Sequence, residues 1–307
     1  MDDTSPANFD HAVALRARRK ALILLLTGAA CISCSAIFVR LSELGPVATA
    51  FWRVALAAPA LGLWLAAEQR HFGTAARRPQ DLRDWGWLLL AGFCYAGDLA
   101  TWHWSIKLTS VANSTLLANF APVFVTPAAY LLFGERINAA FLVGLALAIG
   151  GAVLVMGDSL TLSAAHLAGD GLAIVTAAFY AGYFLVLRRL RRVFSTATIM
   201  TWSAVVTAIL LLPLATASGE TLIAVTAFGW TILVLLALIS HVGGQSLIAY
   251  AFAHLPASFS SVALLLQPTL AAVLAWLILG ESLGWLQGLG GALVLLGIAT
   301  ARRGSET

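Results

Sequence analysis

Long apolar runs follow one another along the whole chain, and they limit what it can fold into. One of them, "FLVGLALAIGGAVLVM" at 141–156, carries no charge at all. About 20 such residues cross a ~30 Å hydrocarbon layer as a helix. Lipid cannot satisfy exposed backbone groups, so the alternative is a closed barrel, whose strands alternate apolar and polar residues. These runs are continuously apolar, and the sequence therefore predicts an all-α integral membrane protein.

The composition agrees with this class. Only 10% of the 307 residues are charged, against about a quarter in a soluble domain. Cys31, Cys34 and Cys94 lie inside apolar runs, where we expect packing rather than disulfide, zinc or redox chemistry. The polar segment 1–20 has no A-x-A-like cleavage site after it, which predicts a first helix retained as a signal anchor. We expect no cofactor and no metal.

Ten transmembrane helices are predicted from the apolar runs and the breaks between them. Pro122 and Pro127 lie inside the fourth, and Pro268 lies inside the ninth, where they predict kinks rather than breaks. The predicted helices are 21–41, 47–67, 85–106, 111–132, 139–157, 170–187, 197–217, 228–252, 258–279 and 284–301.

The basic residues orient these helices, because cytoplasmic loops accumulate Lys and Arg. With the N-terminus inside, 15 of the 18 basic residues fall on the cytoplasmic side, and both termini are cytoplasmic. The same bias accounts for the net charge of +4, so nucleic-acid binding is not expected. The fifteen are Arg16, Arg18, Arg19, Lys20, Arg70, Arg77, Arg78, Arg83, Arg136, Arg188, Arg189, Arg191, Arg192, Arg302 and Arg303.

An internal repeat appears when the sequence is shifted by 146 residues. "FAPVFVTPAAYLLFGERINAAFLVGLALAIGG" then superposes on "LQPTLAAVLAWLILGESLGWLQGLGGALVLLG", with the Pro and Gly-Glu positions matched. Five helices per half is an odd number, so the second half enters the membrane inverted, as in many secondary transporters. The predicted segments are a cytoplasmic tail 1–20, a first five-helix repeat 21–157, an outer linker 158–169 and a second repeat 170–303.

On these motifs the chain resembles the drug/metabolite transporter superfamily, in its EamA-type branch. The resemblance rests on the duplicated "LLFGE" and "LILGE" endings, each preceded by a proline, on "FWRVALAAPAL" and "HLPAS", and on the ten-helix count. It implies a secondary transporter with a central cavity between two inverted repeats, typically exporting small metabolites such as amino acids. The implied location is the bacterial inner membrane.

Asp98 is the one acidic residue deep within a predicted span, roughly 12 Å below the outer surface by helical rise. An ionisable group there costs at least a few kcal/mol, which makes it a candidate for substrate binding or proton carriage. The alternative is a structural ion pair with Arg53, at roughly 10 Å depth on the same side.

Other polar residues gather at the same depth. Tyr95 and Trp102 share the helical face of Asp98, and His241 and Gln245 share a face of the eighth helix. Under the repeat Tyr95 corresponds to His241, which predicts a substrate site at the interface of the halves. His241 is equally compatible with a packed core.

Several remaining side chains have simpler roles. Asn119 can contact substrate or satisfy carbonyls freed by Pro122, and His103 turns away from Asp98. Trp104 and Lys107 are expected to anchor the helix at the outer surface. Arg40 is expected to pair with Glu43, three residues later.

Glycines are concentrated in the fifth and tenth helices, among them Gly144, Gly151, Gly290 and Gly297, and the motif Gly284-x-x-x-Gly288. Small residues of this kind let membrane helices approach closely. They predict either packing of these two helices on each other or a homodimer.

The expected function is export of small metabolites, amino acids or related amphiphilic or cationic compounds, by alternating access with proton coupling as one option. A nucleotide-sugar or organophosphate exchanger is the alternative, though its phosphate would require more basic residues than Arg53 and Arg40 supply. A non-transporting membrane scaffold needs no deep polar groups. No H-E-x-x-H or G-x-S-x-G motif occurs, so an enzyme is not expected.

Overall fold

The computed structural model describes residues 6–72, 77–157 and 164–306. Within these ranges the chain is helical and forms no strand, as predicted. The predicted tail 1–20 and linker 158–169 lie partly outside the described residues. The helices are α1 Pro6–Leu41, α2 Pro46–Ala55, α3 Ala57–Phe72, α4 Leu82–Leu108, α5 Val111–Ala118, α6 Ala121–Phe133, α7 Ala139–Met156, α8 Leu167–Leu190, α9 Thr196–Ala217, α10 Ala227–Leu235, α11 Ser246–Ala251, α12 Ala257–Ala263, α13 Leu266–Leu279 and α14 Trp285–Glu306.

Side-chain caps and left-handed glycines define where helices begin and end. Asp81 and Ser110 each accept a hydrogen bond from the backbone N–H three residues on, at the starts of α4 and α5, which satisfies an orphan donor of the first turn. Gly134 and Gly280 end α6 and α13 at φ of +66° and +70°, a region that L-residues with a Cβ rarely adopt. These two glycines are 146 positions apart, so the repeat extends to the helix ends.

Nine helical stretches of the described chain are long and apolar enough to cross a membrane. The predicted third span, now α4, is not among them although it has 27 residues. Its sequence includes Asp98, His103 and Lys107, which make it more polar than the others. The ten-span count therefore stays a prediction.

Prolines interrupt two spans more strongly than predicted. The helix before Pro122 ends at Ala118 and resumes at Ala121, and the helix before Pro268 ends at Ala263 and resumes at Leu266. Each proline lies in the first turn of the resumed helix, where its missing N–H costs no hydrogen bond. Pro127 stays inside α6. The stretches Asn113–Phe133 and Ala257–Leu279 each remain one membrane-length span, so the interruptions at Pro122 and Pro268 lie within spans and do not divide them.

The glycines of α7 and α14 bring these two helices into backbone contact. A Cβ on Gly144 would lie 2.6 Å from the Gly297 carbonyl oxygen, and one on Gly290 would lie 2.6 Å from the Gly151 carbonyl oxygen. Exchanging the two halves by 146 residues turns one contact into the other, so the helices pack about a pseudo-twofold axis. These four glycines pack within the chain, one of the two predicted uses, whereas Gly284 and Gly288 have open space.

The element that continues α10 departs from α-helical geometry. Residues Leu236–Gln245 form a π-helix that contains His241 and leads into α11. The equivalent residues of the first repeat, 90–99, are α-helical within α4. The two halves thus correspond in repeat position and differ in local conformation, at the level where both carry polar side chains. Such π segments occur frequently at functional sites.

Candidate functional site

The carboxylate of Asp98 stands alone within the helical bundle. The residue is half-buried on α4. Among the described residues its carboxylate accepts no hydrogen bond, and only its backbone carbonyl does, from Thr101 Oγ1 at 3.5 Å. A carboxylate that is neither paired nor fully hydrated is costly in a membrane. Its remaining capacity is available to a ligand, a proton or water.

Arg53 on α2 is the cation whose field reaches this carboxylate. The two groups interact electrostatically, but within the described chain no Arg53 nitrogen comes within 4.0 Å of an Asp98 oxygen. Among the described residues the buried Arg53 Nε has no hydrogen-bond partner. The predicted ion pair is therefore not a direct contact in this structure.

Tyr95 and His241 meet between the two halves. The Tyr95 hydroxyl lies 3.3 Å from His241 Nδ1, and the two side chains are 2% and 1% exposed. They are 146 residues apart, so this contact joins equivalent positions of the repeat across its pseudo-twofold axis. His241 Nε2 and Gln245 Oε1 are buried without a partner. The π-helix thus presents unsatisfied polar atoms at the interface, where buried polar groups normally find a partner.

Aromatic side chains of α8 also pack in this region, and they were not among the residues predicted for the site. The rings of Tyr95 and Tyr183 lie 5.0 Å apart, and Tyr180 packs on Phe184 at 4.1 Å. The Tyr183 hydroxyl donates to Met200 Sδ at 3.7 Å. The available signal was the pattern "FYAGYF" at 179–184, which places several aromatic residues on a helix that the repeat pairs with α1.

Trp102 and Asn119, the other predicted site residues, have contacts outside the Tyr95–His241 pair. Trp102 packs edge-on against His103 at 4.8 Å, and His103 is buried with Nε2 unpartnered. Asn119 donates to the Thr115 carbonyl at 2.7 Å, one turn back in its own helix. This bond uses part of the Asn119 amide and supports the predicted structural role. The carbonyl that it satisfies lies about one turn before the Ala118 carbonyl, which is the one freed by Pro122.

The ends of the bundle opposite the chain termini are joined by glutamates. Glu43 accepts hydrogen bonds from the backbone N–H groups of Val225 and Thr226 at 3.0 and 3.2 Å and from the Thr226 hydroxyl. The Thr226 hydroxyl, more than the backbone donors, holds the pKa of Glu43 below its usual value. Glu43 therefore favours its charged form while it joins the α1–α2 turn to the start of α10.

Two neighbouring ion pairs complete the joint. Arg40 pairs with Glu281 from the other half, so the predicted Arg40–Glu43 pair was wrong because Glu43 binds α10. Lys107 pairs with Glu220 at 2.8 Å, and Glu220 also accepts from the Ala48 N–H at 2.9 Å. Both halves thus contribute carboxylates that hold the start of a helix in the other half.

A comparison of the sequence with protein-family models identifies the family of this chain. The model of the EamA-like transporter family matches the chain twice, over residues 19–157 and 167–302. The chain belongs to the EamA-like transporter family. The two matches correspond to the two halves of the sequence repeat, and membership makes this a multi-pass membrane transporter.

Curated relatives of this chain are themselves described only as transporters. Two uncharacterized transporters of Archaeoglobus fulgidus are 27% and 25% identical, covering 76% and 86% of this chain and 83% and 91% of their own lengths. The uncharacterized transporter YwfM of Bacillus subtilis is 26% identical over 72% of this chain and 75% of its own length. A crystal structure with 19% identity superposes with a TM-score of 0.78 over 94% of this chain and 99% of that one, which establishes a shared fold.

Proposed function

We propose that this chain is a secondary transporter that exports small amphiphilic metabolites, amino acids or related cationic compounds, across the bacterial inner membrane. The observation that carries the proposal is the Asp98 carboxylate, which has neither a hydrogen-bond partner nor an ion-pair partner among the described residues. A substrate amine or a proton would satisfy that carboxylate. A substrate carboxylate would satisfy the buried Arg53 Nε, and the tyrosines of α8 would contact its apolar part.

Alternating access is supported by a difference between equivalent glutamates. Glu135 accepts from the Ala257 and Ser258 N–H groups at 2.7 and 2.9 Å and from the Ser258 hydroxyl at 2.6 Å, at the start of α12. Its equivalent, Glu281, binds Arg40 instead, while α5 is capped by its own Ser110. We infer that the halves exchange these arrangements, so that Glu281 holds the start of α5 when Glu135 releases α12.

The proposed topology has ten spans with both termini cytoplasmic. It counts α4 as a span although its polar side chains lower its hydropathy. Tyr95 and Thr101 of α4 hydrogen-bond to the π-helix and to α8, and Thr207 of α9 donates to the Gly92 carbonyl of α4, so α4 packs inside the bundle. Membrane helices tolerate ionisable residues where they face a bundle interior or a cavity.

A phosphate-bearing substrate is the second candidate, and the charges near Asp98 argue against it. Among the described residues, Arg53 is the one basic side chain that interacts electrostatically with Asp98. Arg40 is committed to Glu281 near the helix ends. A phosphate beside an unpaired carboxylate, with a single guanidinium in reach, would be repelled as well as attracted.

Counterflow in liposomes tests the proposal. The purified chain is reconstituted, and labelled amino acids and cationic metabolites are screened with and without a pH gradient. We expect Asp98→Asn to reduce transport of the accepted substrate at least about tenfold, since one charge-assisted contact of about 1.5–3 kcal/mol is lost. We also expect it to remove the response to pH.

The matched control is Asp81→Asn, the same chemical change on the same helix. Asp81 is exposed and caps α4, and Asn caps equally well, so its transport should equal that of wild type. Normal rates and pH dependence in Asp98→Asn would remove Asp98 from the site. Loss of folding in Arg53→Ala that Asp98→Asn restores would show that the two residues form a structural pair instead.

A further inference from the structure

A small basic pocket lies beside the end of α14. It has a volume of about 50 Å³ and lies between α1, the turn before α12, and α14. Arg18 and Arg302 supply its two charges, and the Ser305 hydroxyl in its lining donates to the Arg302 backbone carbonyl at 2.9 Å. None of the described residues that line it is acidic.

The floor of this pocket is apolar. Leu255 and Phe259 are 6% and 2% exposed, and Leu22 of α1 is half-buried beside them. The pocket is therefore amphipathic, with guanidinium groups above hydrocarbon. Arginine binds phosphate oxygens with paired, well-directed hydrogen bonds, which a lysine point charge does not reproduce.

The position of the pocket along the spans sets its depth in the membrane. Arg18 lies within the first turn of the apolar stretch Leu15–Leu41, and Ser305 is the last residue of the stretch Trp285–Ser305. Both line one pocket, so the start of α1 and the end of α14 lie at the same membrane surface. Lipid headgroups lie at that level, and basic pockets between helices bind anionic headgroups.

We propose that this pocket binds the phosphate of an anionic membrane lipid, with Arg18 and Arg302 around the phosphate and the lipid's glycerol and acyl region against the apolar floor. The proposal does not depend on the transported substrate. Only the assignment of the pocket to the cytoplasmic leaflet depends on the topology proposed above.

The chain offers closely matched variants for the test. Arg18→Gln with Arg302→Gln removes both charges from the pocket. Arg19→Gln with Arg303→Gln removes two exposed charges one position along the same helices, outside the lining. Both pairs change net charge equally, so a diffuse basic surface would respond to both, and a built pocket only to the first.

Native mass spectrometry of the purified full chain measures retention of phosphatidylglycerol against phosphatidylcholine. We expect wild type and the Arg19/Arg303 variant to retain phosphatidylglycerol preferentially. We expect the preference of the Arg18/Arg302 variant for phosphatidylglycerol to fall about tenfold or more, because two basic groups near an anionic lipid surface are lost. The single Arg18→Gln and Arg302→Gln variants give intermediate losses, and unfolding midpoints show that each protein is folded.

Three outcomes would overturn the proposal. Equal retention of the two lipids by wild type shows that no anionic headgroup is selected. Equal losses in both double variants indicate a general basic surface. Displacement of the lipid by millimolar inorganic phosphate indicates a site for a soluble phosphate compound. Because the readout is binding, failure here leaves the counterflow result on Asp98 unaffected.

Discussion

Replacing Gly144 with alanine tests the close approach of α7 and α14. The added Cβ would lie 2.3 Å from the Ala301 backbone nitrogen, 2.6 Å from the Gly297 carbonyl oxygen and 2.7 Å from the Ala301 Cα. All three are backbone atoms, so no side-chain rotation relieves the overlap. Ordinary contacts of this kind are about 3.5–4.0 Å, and the helices must therefore separate by roughly 1 Å.

The loss of stability in Gly144→Ala follows from the separation of α7 and α14. A gap of 0.5–1 Å forfeits about a quarter to a half of the dispersion energy of each contact along the interface. Overpacked cores lose about 1–3 kcal/mol, and we expect Gly144→Ala at the upper end because the contacts are main-chain. Gly290→Ala meets the Gly151 carbonyl oxygen at 2.6 Å and the Val155 nitrogen at 2.7 Å, so its loss should be similar.

Gly150→Ala is the control on the same helix, since a Cβ there meets nothing within 4 Å. Alanine stabilises a helix interior by about 0.5–1 kcal/mol over glycine, so this variant should equal or exceed wild type. The assay is the denaturant or thermal unfolding midpoint of the purified protein in detergent. If Gly144→Ala and Gly150→Ala unfold at the same midpoint, the proposed backbone contact between α7 and α14 is absent.

Three further predictions concern single polar contacts. The lowered pKa of Glu43 means that its stabilisation, measured against Glu43→Gln, is full above the ordinary glutamate pKa. It is lost as pH falls through the lower folded-state value, and thermal melting across pH 3–7 would show a constant difference if this is wrong. Glu135→Gln should lower the free energy of unfolding by about 1–3 kcal/mol, because Glu135 accepts from three donors at the start of α12. Glu281→Gln should lower it by only about 0–1 kcal/mol, because Glu281 forms an exposed ion pair. Equal unfolding midpoints for the two variants would contradict this prediction. Tyr95→Phe removes the hydroxyl that meets a buried histidine and should cost about 1 kcal/mol in unfolding free energy, with no loss in the exposed control Tyr130→Phe.

Much of the candidate site could be anticipated from the repeat. The 146-residue shift pairs position 95 with position 241, and the structure brings these two side chains to 3.3 Å. A residue on a twofold axis contacts its own symmetry mate, so a repeat in sequence indicates which positions can meet. Asp98 was singled out because a charge inside an apolar run is costly wherever that run lies.

Other parts of the site depended on packing between distant segments. Arg40 was expected to bind Glu43, the nearest acid along the chain, but the fold brings Glu281 to Arg40 and the start of α10 to Glu43. No charged residue lies one helical turn from Tyr180 or Tyr183, so nothing in the sequence indicated that these tyrosines belong to a site. The π-helix had only the Gly243-Gly244 pair as a local sign, and glycine pairs are equally common at ordinary close contacts.

The sequence by itself determined the class of protein and the twofold repeat. These follow from the local cost of placing backbone and charged groups in lipid, which depends on composition and spacing alone. Only the tertiary structure decided which carboxylates hold which helix starts, that Arg53 and Asp98 make no direct contact among the described residues, and that one repeat is π-helical where the other is α-helical. Those outcomes depend on distances between helices that are far apart in the chain, which the 146-residue shift does not specify.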